Sequence, residues 1–142
     1  MSLKQNSVLF FYKAGKFYIV GAIGLVANYL ASSMLSNSSI LNLSYTQAMA
    51  IGILVSITLN FILNKLWTFD DRDFSTLYAL KQYTIYVSLC SVGAVLQFAL
   101  VYVLVESSGI QYGLALFPAV AIGSLSNFLL NKKLTFREKI WN

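Results

Sequence analysis

Asn60, Asn64 and Lys65 close one apolar stretch of the chain, and Asn127, Asn131 and Lys132 close another with the same order and spacing. Amides four residues apart share one face of a helix, and the lysine follows the second of them, so each set forms a polar stripe able to donate to an anion. The stripes belong to a longer repeat. Asn60-Phe61-Ile62-Leu63-Asn64-Lys65-Leu66-Trp67-Thr68-Phe69 returns as Asn127-Phe128-Leu129-Leu130-Asn131-Lys132-Lys133-Leu134-Thr135-Phe136, offset by 67 residues with seven of ten positions identical. The chemistry open to such a pair is the holding of a phosphate or pyrophosphate headgroup. Helix C-terminal ends carry partial negative charge, so any anion site here depends on the side chains of Lys65 and Lys132. The same residues also suit a structural role: Asn is common at helix C-termini, and intramembrane Asn bonds neighbouring helices. Lys65 and Lys132 can snorkel to headgroup level beside boundary aromatics at Trp67, Phe69 and Phe136.

The elements that must carry these stripes follow from composition. Hydrophobic residues make up 58% of the chain and charged ones 11%, against roughly a quarter charged in soluble domains. The chain is therefore a membrane protein. Phe17 to Asn64 contains no charge over 48 residues, about 72 Å as one helix against a hydrocarbon core of about 30 Å. It must be two spans, broken where Asn37, Ser38, Ser39, Asn42, Ser44, Thr46 and Gln47 cluster. A second break falls at Glu106-Ser107-Ser108-Gly109. The pattern predicts spans over about 17–36, 45–64, 83–105 and 112–131. With those spans, all 10 cations lie on one side: Lys4, Lys13 and Lys16; Lys65, Arg72 and Lys81; Lys132, Lys133, Arg137 and Lys139. The positive-inside rule then puts both termini and the central loop in the cytoplasm. The net charge of +5 describes a basic rim facing anionic membrane lipid, and does not point to nucleic acid. Val8 to Tyr12 is too short to span and is expected to lie in the interface as an amphipathic segment. Cys90 falls inside the third span and suits packing.

The first helices of the halves match as well. Gly24-Leu25-Val26-Ala27-Asn28-Tyr29 aligns with Gly93-Ala94-Val95-Leu96-Gln97-Phe98 at an offset of 69. The expected architecture is an all-α membrane protein of four transmembrane helices, arranged as two parallel-oriented helical-hairpin repeats with cytoplasmic N and C termini. It forms one domain over 1–142, with repeat 1 at about 14–69 and repeat 2 at about 81–136. Asn28 and Gln97 lie about 18 Å and 24 Å along their helices from Lys16 and Lys81, near and somewhat beyond mid-membrane. Amides at that depth either line a path for sugar hydroxyls or hydrogen-bond each other across the pseudo-axis.

What the chain lacks narrows its chemistry. It has no His, and its acids, Asp70, Asp71, Asp73, Glu106 and Glu138, all fall outside the predicted spans. Metal chemistry and general acid/base catalysis lack their parts, so neither an enzyme nor a cofactor is expected. A proton-coupled exporter of the small four-helix type would need a Glu in its first span, and this one has none.

With Lys16-Phe17-Tyr18-Ile19-Val20-Gly21 opening the first span and the doubled Asn-Phe-x-x-Asn-Lys-x-x-Thr-Phe signature closing the second and fourth, the chain resembles the GtrA-like family over about residues 14–137. Leu134 stands where an aromatic is usual. The resemblance implies a four-helix protein of the plasma membrane, serving cell-surface polysaccharide synthesis or glycosylation. Related domains occur fused to polyprenyl-phosphate sugar synthases. It implies translocation of a polyprenyl-phosphate-linked sugar, moving downhill for want of a coupling carboxylate. The phosphate would be held by Lys65 and Lys132 with Lys16 and Lys81, and oriented by Asn60, Asn64, Asn127 and Asn131. Asn28 and Gln97 would contact the sugar. The alternative is a non-transporting partner of a membrane glycosyltransferase. Four helices make a thin bundle around a sugar, so self-association is expected, with Gly21, Gly24, Gly52, Gly93 and Gly123 offering close helix contacts.

Overall fold

The computed structural model describes residues 3–36 and 43–138, and among these there are helices and no strand. Helix α1 runs Leu3–Ser36, α2 Tyr45–Leu63, α3 Thr76–Tyr102 and α4 Tyr112–Leu130. Three of them widen at the C-terminus into a π-helical turn: Asn64–Thr68 after α2, Val103–Ser107 after α3 and Asn131–Thr135 after α4. All four helices are long and apolar enough to cross a membrane. In their most apolar windows only 6–22% of residues are buried inside the protein, which leaves the bulk of each apolar surface to lipid.

Two expectations are corrected at the ends of these helices. Val8 to Tyr12 is no separate segment; it lies within α1, whose 34 residues extend about 51 Å and outrun a hydrocarbon core of about 30 Å. No Gly or Pro interrupts residues 3–14, and Phe10 is buried edge-on against Phe128 at 5.4 Å, which docks this part of α1 on α4. Helix α3 likewise starts at Thr76, earlier than residue 83, and shortens the central loop. Ser44 starts α2 with a capping box: its hydroxyl accepts from the Gln47 amide at 3.4 Å while Gln47 Oε1 accepts from the Ser44 amide at 2.9 Å. Asn37, Ser38, Ser39, Asn42 and Lys139 lie outside the described residues.

The chain divides into two compact units, Gly15–Arg72, and Met1–Ala14 together with Asp73–Asn142. The first buries Phe17, Val20, Ala48, Phe61 and Phe69. Helix α2 approaches α1 closely where glycine permits it: a Cβ on Gly52 would strike the Ser32 hydroxyl and the Asn28 side chain, and one on Gly24 would strike the Asn60 amide. The second unit buries Phe10, Tyr86, Phe128 and Phe136, with Ala115, Ala119 and Gly123 spaced four apart on α4. That small-residue stripe brings the backbones of α3 and α4 together, so that a Cβ on Gly93 would lie 3.5 Å from the Gly123 carbonyl.

Candidate functional site

Each repeated signature folds into the same helix cap. At the end of α2 the π-helical turn is closed by the Phe69 amide donating to the Asn64 carbonyl at 2.9 Å and the Asp71 amide donating to the Lys65 carbonyl at 2.8 Å. The Thr68 hydroxyl donates to Asn64 Oδ1 at 2.8 Å, so Asn64 fixes the turn from inside. Asp70 takes a left-handed conformation, φ 49°, which reverses the chain and returns the Asp71 carboxylate to Lys65 at 2.9 Å. Lys65 is fully buried, with 0% side-chain exposure. Lys16 donates to the Trp67 carbonyl at 3.1 Å, its ammonium 5.4 Å from the Trp67 ring centroid, and Phe17 meets Phe69 edge-on at 6.5 Å. Carbonyls that a helix end leaves orphaned are thus taken by amides and a cation.

At the end of α4 the bonds recur. Phe136 donates to Asn131 at 3.0 Å and Glu138 to Lys132 at 2.9 Å along the backbone, and the Thr135 hydroxyl donates to Asn131 Oδ1 at 2.8 Å. Arg137 supplies the left-handed reversal, φ 54°, and Glu138 Oε2 meets Lys132 at 2.9 Å. Gln82 Nε2 takes the Thr135 carbonyl at 3.2 Å, and Tyr86 meets Phe136 edge-on at 6.5 Å. One feature is added. Glu138 Oε1 also pairs with Lys13, so a single carboxylate bridges two lysines.

The snorkelling expected of Lys65 and Lys132 is therefore corrected: both ammonium groups turn inward to a carboxylate. A buried cation needs a charged partner, and the left-handed residue delivers one within contact distance. Asp71 and Glu138 are the cap residues that residue chemistry alone passed over. Their signal was present, since they share the offset of 67 with the rest of the signature. Lys13 and Gln82, which reach the caps from α1 and α3, left no comparable mark.

Higher in the helices the amides differ between units. Asn127 accepts from Asn131 Nδ2 at 2.7 Å and donates to Cys90 Sγ at 3.7 Å. Asn60 presses against Gly24, its Oδ1 buried without a hydrogen-bond partner among the described residues. Asn28 accepts from the Ser32 hydroxyl at 3.1 Å and lies over Gly52, while Gln97 Cβ would sit 3.1 Å from a Cβ on Gly123. Each of these two amides thus packs on a glycine of its own hairpin. Gln97 also lines a cavity of about 280 Å³ with Ala94, Phe98, Val101, Tyr112 and Leu116. Lys81 is exposed on α3.

The fold and the caps define a multi-pass helical membrane protein with a carboxylate-paired lysine at the ends of its second and fourth helices. The family model for the GtrA/DPMS transmembrane domain matches residues 16–136, and the chain belongs to that family. Membership places it among membrane proteins of polysaccharide and glycosylation pathways. Comparison with curated proteins gives no match.

Proposed function

We propose that this protein carries a polyprenyl-phosphate-linked sugar across the plasma membrane, with both termini cytoplasmic, as a self-associating translocator and not an enzyme. The observation that carries this is the pair of cation-bearing helix ends at Lys65 and Lys132 in a family of glycan-pathway membrane proteins. The caps ease the helix-dipole objection, because the terminal carbonyls already have donors in Lys16, Gln82 and backbone amides. The phosphate of such a lipid-linked sugar is a singly charged diester, and to reach either lysine it must open the cap and exchange with a carboxylate. In purified form in liposomes, the protein is expected to accelerate flipping of a fluorescent polyprenyl-phosphate sugar; a rate equal to that of empty vesicles overturns the proposal.

A non-transporting partner of a membrane glycosyltransferase is favoured by a different observation: both lysines are already satisfied, as rigid caps would have them. Replacing Asn28 and Gln97 with Leu separates the two functions. A translocator loses at least about tenfold in rate, equivalent to ~1.4 kcal/mol at the barrier, whereas a scaffold keeps its ability to support the glycosyltransferase.

A further inference from the structure

We propose that Lys13, Glu138 and Lys132 form a phosphomonoester site that the protein closes with its own carboxylate, and that the cap at Lys65 is not such a site. The choice of ligand rests on the proposed handling of phosphate-bearing lipids; the geometry stands apart from it. Glu138 holds one ammonium group on each oxygen, Lys13 on Oε1 and Lys132 on Oε2. A phosphate offers the same two acceptors, with a third oxygen and a charge approaching −2 that a carboxylate cannot supply. In these two salt bridges one carboxylate faces two ammonium groups, and a more highly charged anion would match both more fully. At the first cap Lys65 meets Asp71 through one carboxylate oxygen, Oδ2.

Access separates the caps in the same direction. Lys132 is 3% exposed and forms the floor, whereas Lys13 at 18% and Glu138 at 22% form a partly open mouth. At the first cap the floor, Lys65, is sealed at 0%. The acid is also carried differently. Glu138 follows Arg137, an exposed residue held left-handed, a conformation unfavourable for a long side chain; Asp71 follows Asp70, a residue type that adopts it more readily. Withdrawal of Glu138 relaxes Arg137 and leaves two amines converging on one position.

The test uses the full chain in nanodiscs of zwitterionic lipid, with lysine side-chain nitrogens labelled for magnetic resonance. Polyprenyl monophosphate, phosphatidic acid and inorganic phosphate are titrated separately. Signals of Lys13 and Lys132 are expected to move together while that of Lys65 stays. A response to both lipids places recognition in the headgroup, a response to polyprenyl monophosphate alone adds the chain, and a response to inorganic phosphate extends it to the free ion. No response to any of the three, or an equal response at Lys65, overturns the site. Glu138→Gln is expected to tighten binding at least tenfold and to gain thermal stability on ligand addition, and Asp71→Asn to do neither. If Glu138→Gln binds no tighter than the wild type, the carboxylate is not a plug; if that variant does not fold, the wild-type titration decides alone. Sugar flipping in liposomes without a response at Lys13 and Lys132 sinks the site and spares translocation, and a response without flipping does the reverse.

Discussion

The caps at Lys65 and Lys132 share their π-helical turn, their Asn–Thr bond, their left-handed reversal and their lysine–carboxylate pair, yet one carboxylate serves one buried lysine and the other bridges two. A motif can thus be copied bond for bond while a residue from elsewhere in the chain changes what it is able to do. That residue is Lys13, contributed by the turns of α1 that precede the first apolar span. The contrast extends into the hairpins. Gly24 and Gly52 leave no room for a side chain in the first unit, whereas a Cβ on Gly93 or Gly123 in the second would make a tight contact, at 3.3 Å and 3.1 Å, that asks the neighbour to give by a few tenths of an ångström.

The sharpest way to break the comparison is to remove the lysines. Lys65→Met leaves Asp71 without its salt-bridge partner and is expected to cost about 3 kcal/mol, the scale for breaking a buried pair, read as a lower melting temperature in detergent. Lys132→Met is expected to cost about half as much, because Lys13 still holds Glu138. Equal losses would show that Lys13 contributes nothing. Next come the glycines. Gly52→Ala drives a methyl into Ser32 and Asn28, including the Asn28 backbone carbonyl, and is expected to cost about 2 kcal/mol. Gly123→Ala meets Gln97 Cβ at 3.1 Å, a contact that a small shift relieves, for a loss under about 1 kcal/mol. The same melting assay ranks the pair, and a reversed order would mean that the first unit is the more adaptable. The smallest effect has the opposite sign. Arg137→Gly removes the left-handed penalty and is expected to stabilise by up to about 1 kcal/mol, with Asp70→Gly near zero; a destabilised Arg137→Gly would show that the Arg137 side chain has a role of its own.

The four helices were legible in the sequence because lipid imposes a single strong condition, a long uncharged run, and the polar clusters that interrupt it are unambiguous. The start of α1 was not, since a short apolar run beside Lys13 and Lys16 does not say whether it continues the following helix; the contact of Phe10 with Phe128 shows what its inner face meets. The caps were half legible. Residue type and spacing pointed to Asn64, Lys65, Asn131 and Lys132, but a lysine at a membrane boundary turns outward or inward according to what the backbone brings back to it. That return depends on left-handed Asp70 and Arg137, and neither residue type signals such a conformation as a glycine would. The depth of Asn28 and Gln97 could be measured along a helix, yet the glycines beneath them belong to helices whose rotation the sequence leaves open.

Chain order gives the bridged carboxylate a schedule. Lys65 meets Asp71 a few residues after it is made, but the bond between Lys13 and Glu138 spans 125 positions. While α1 is being made Glu138 does not yet exist, so the salt bridge between Lys13 and Glu138 cannot form until the chain is nearly finished. Only when α4 has been laid down does the carboxylate arrive, so the second cap is completed by the first and the last turns of the chain together, whereas the first cap closes within its own short stretch of sequence.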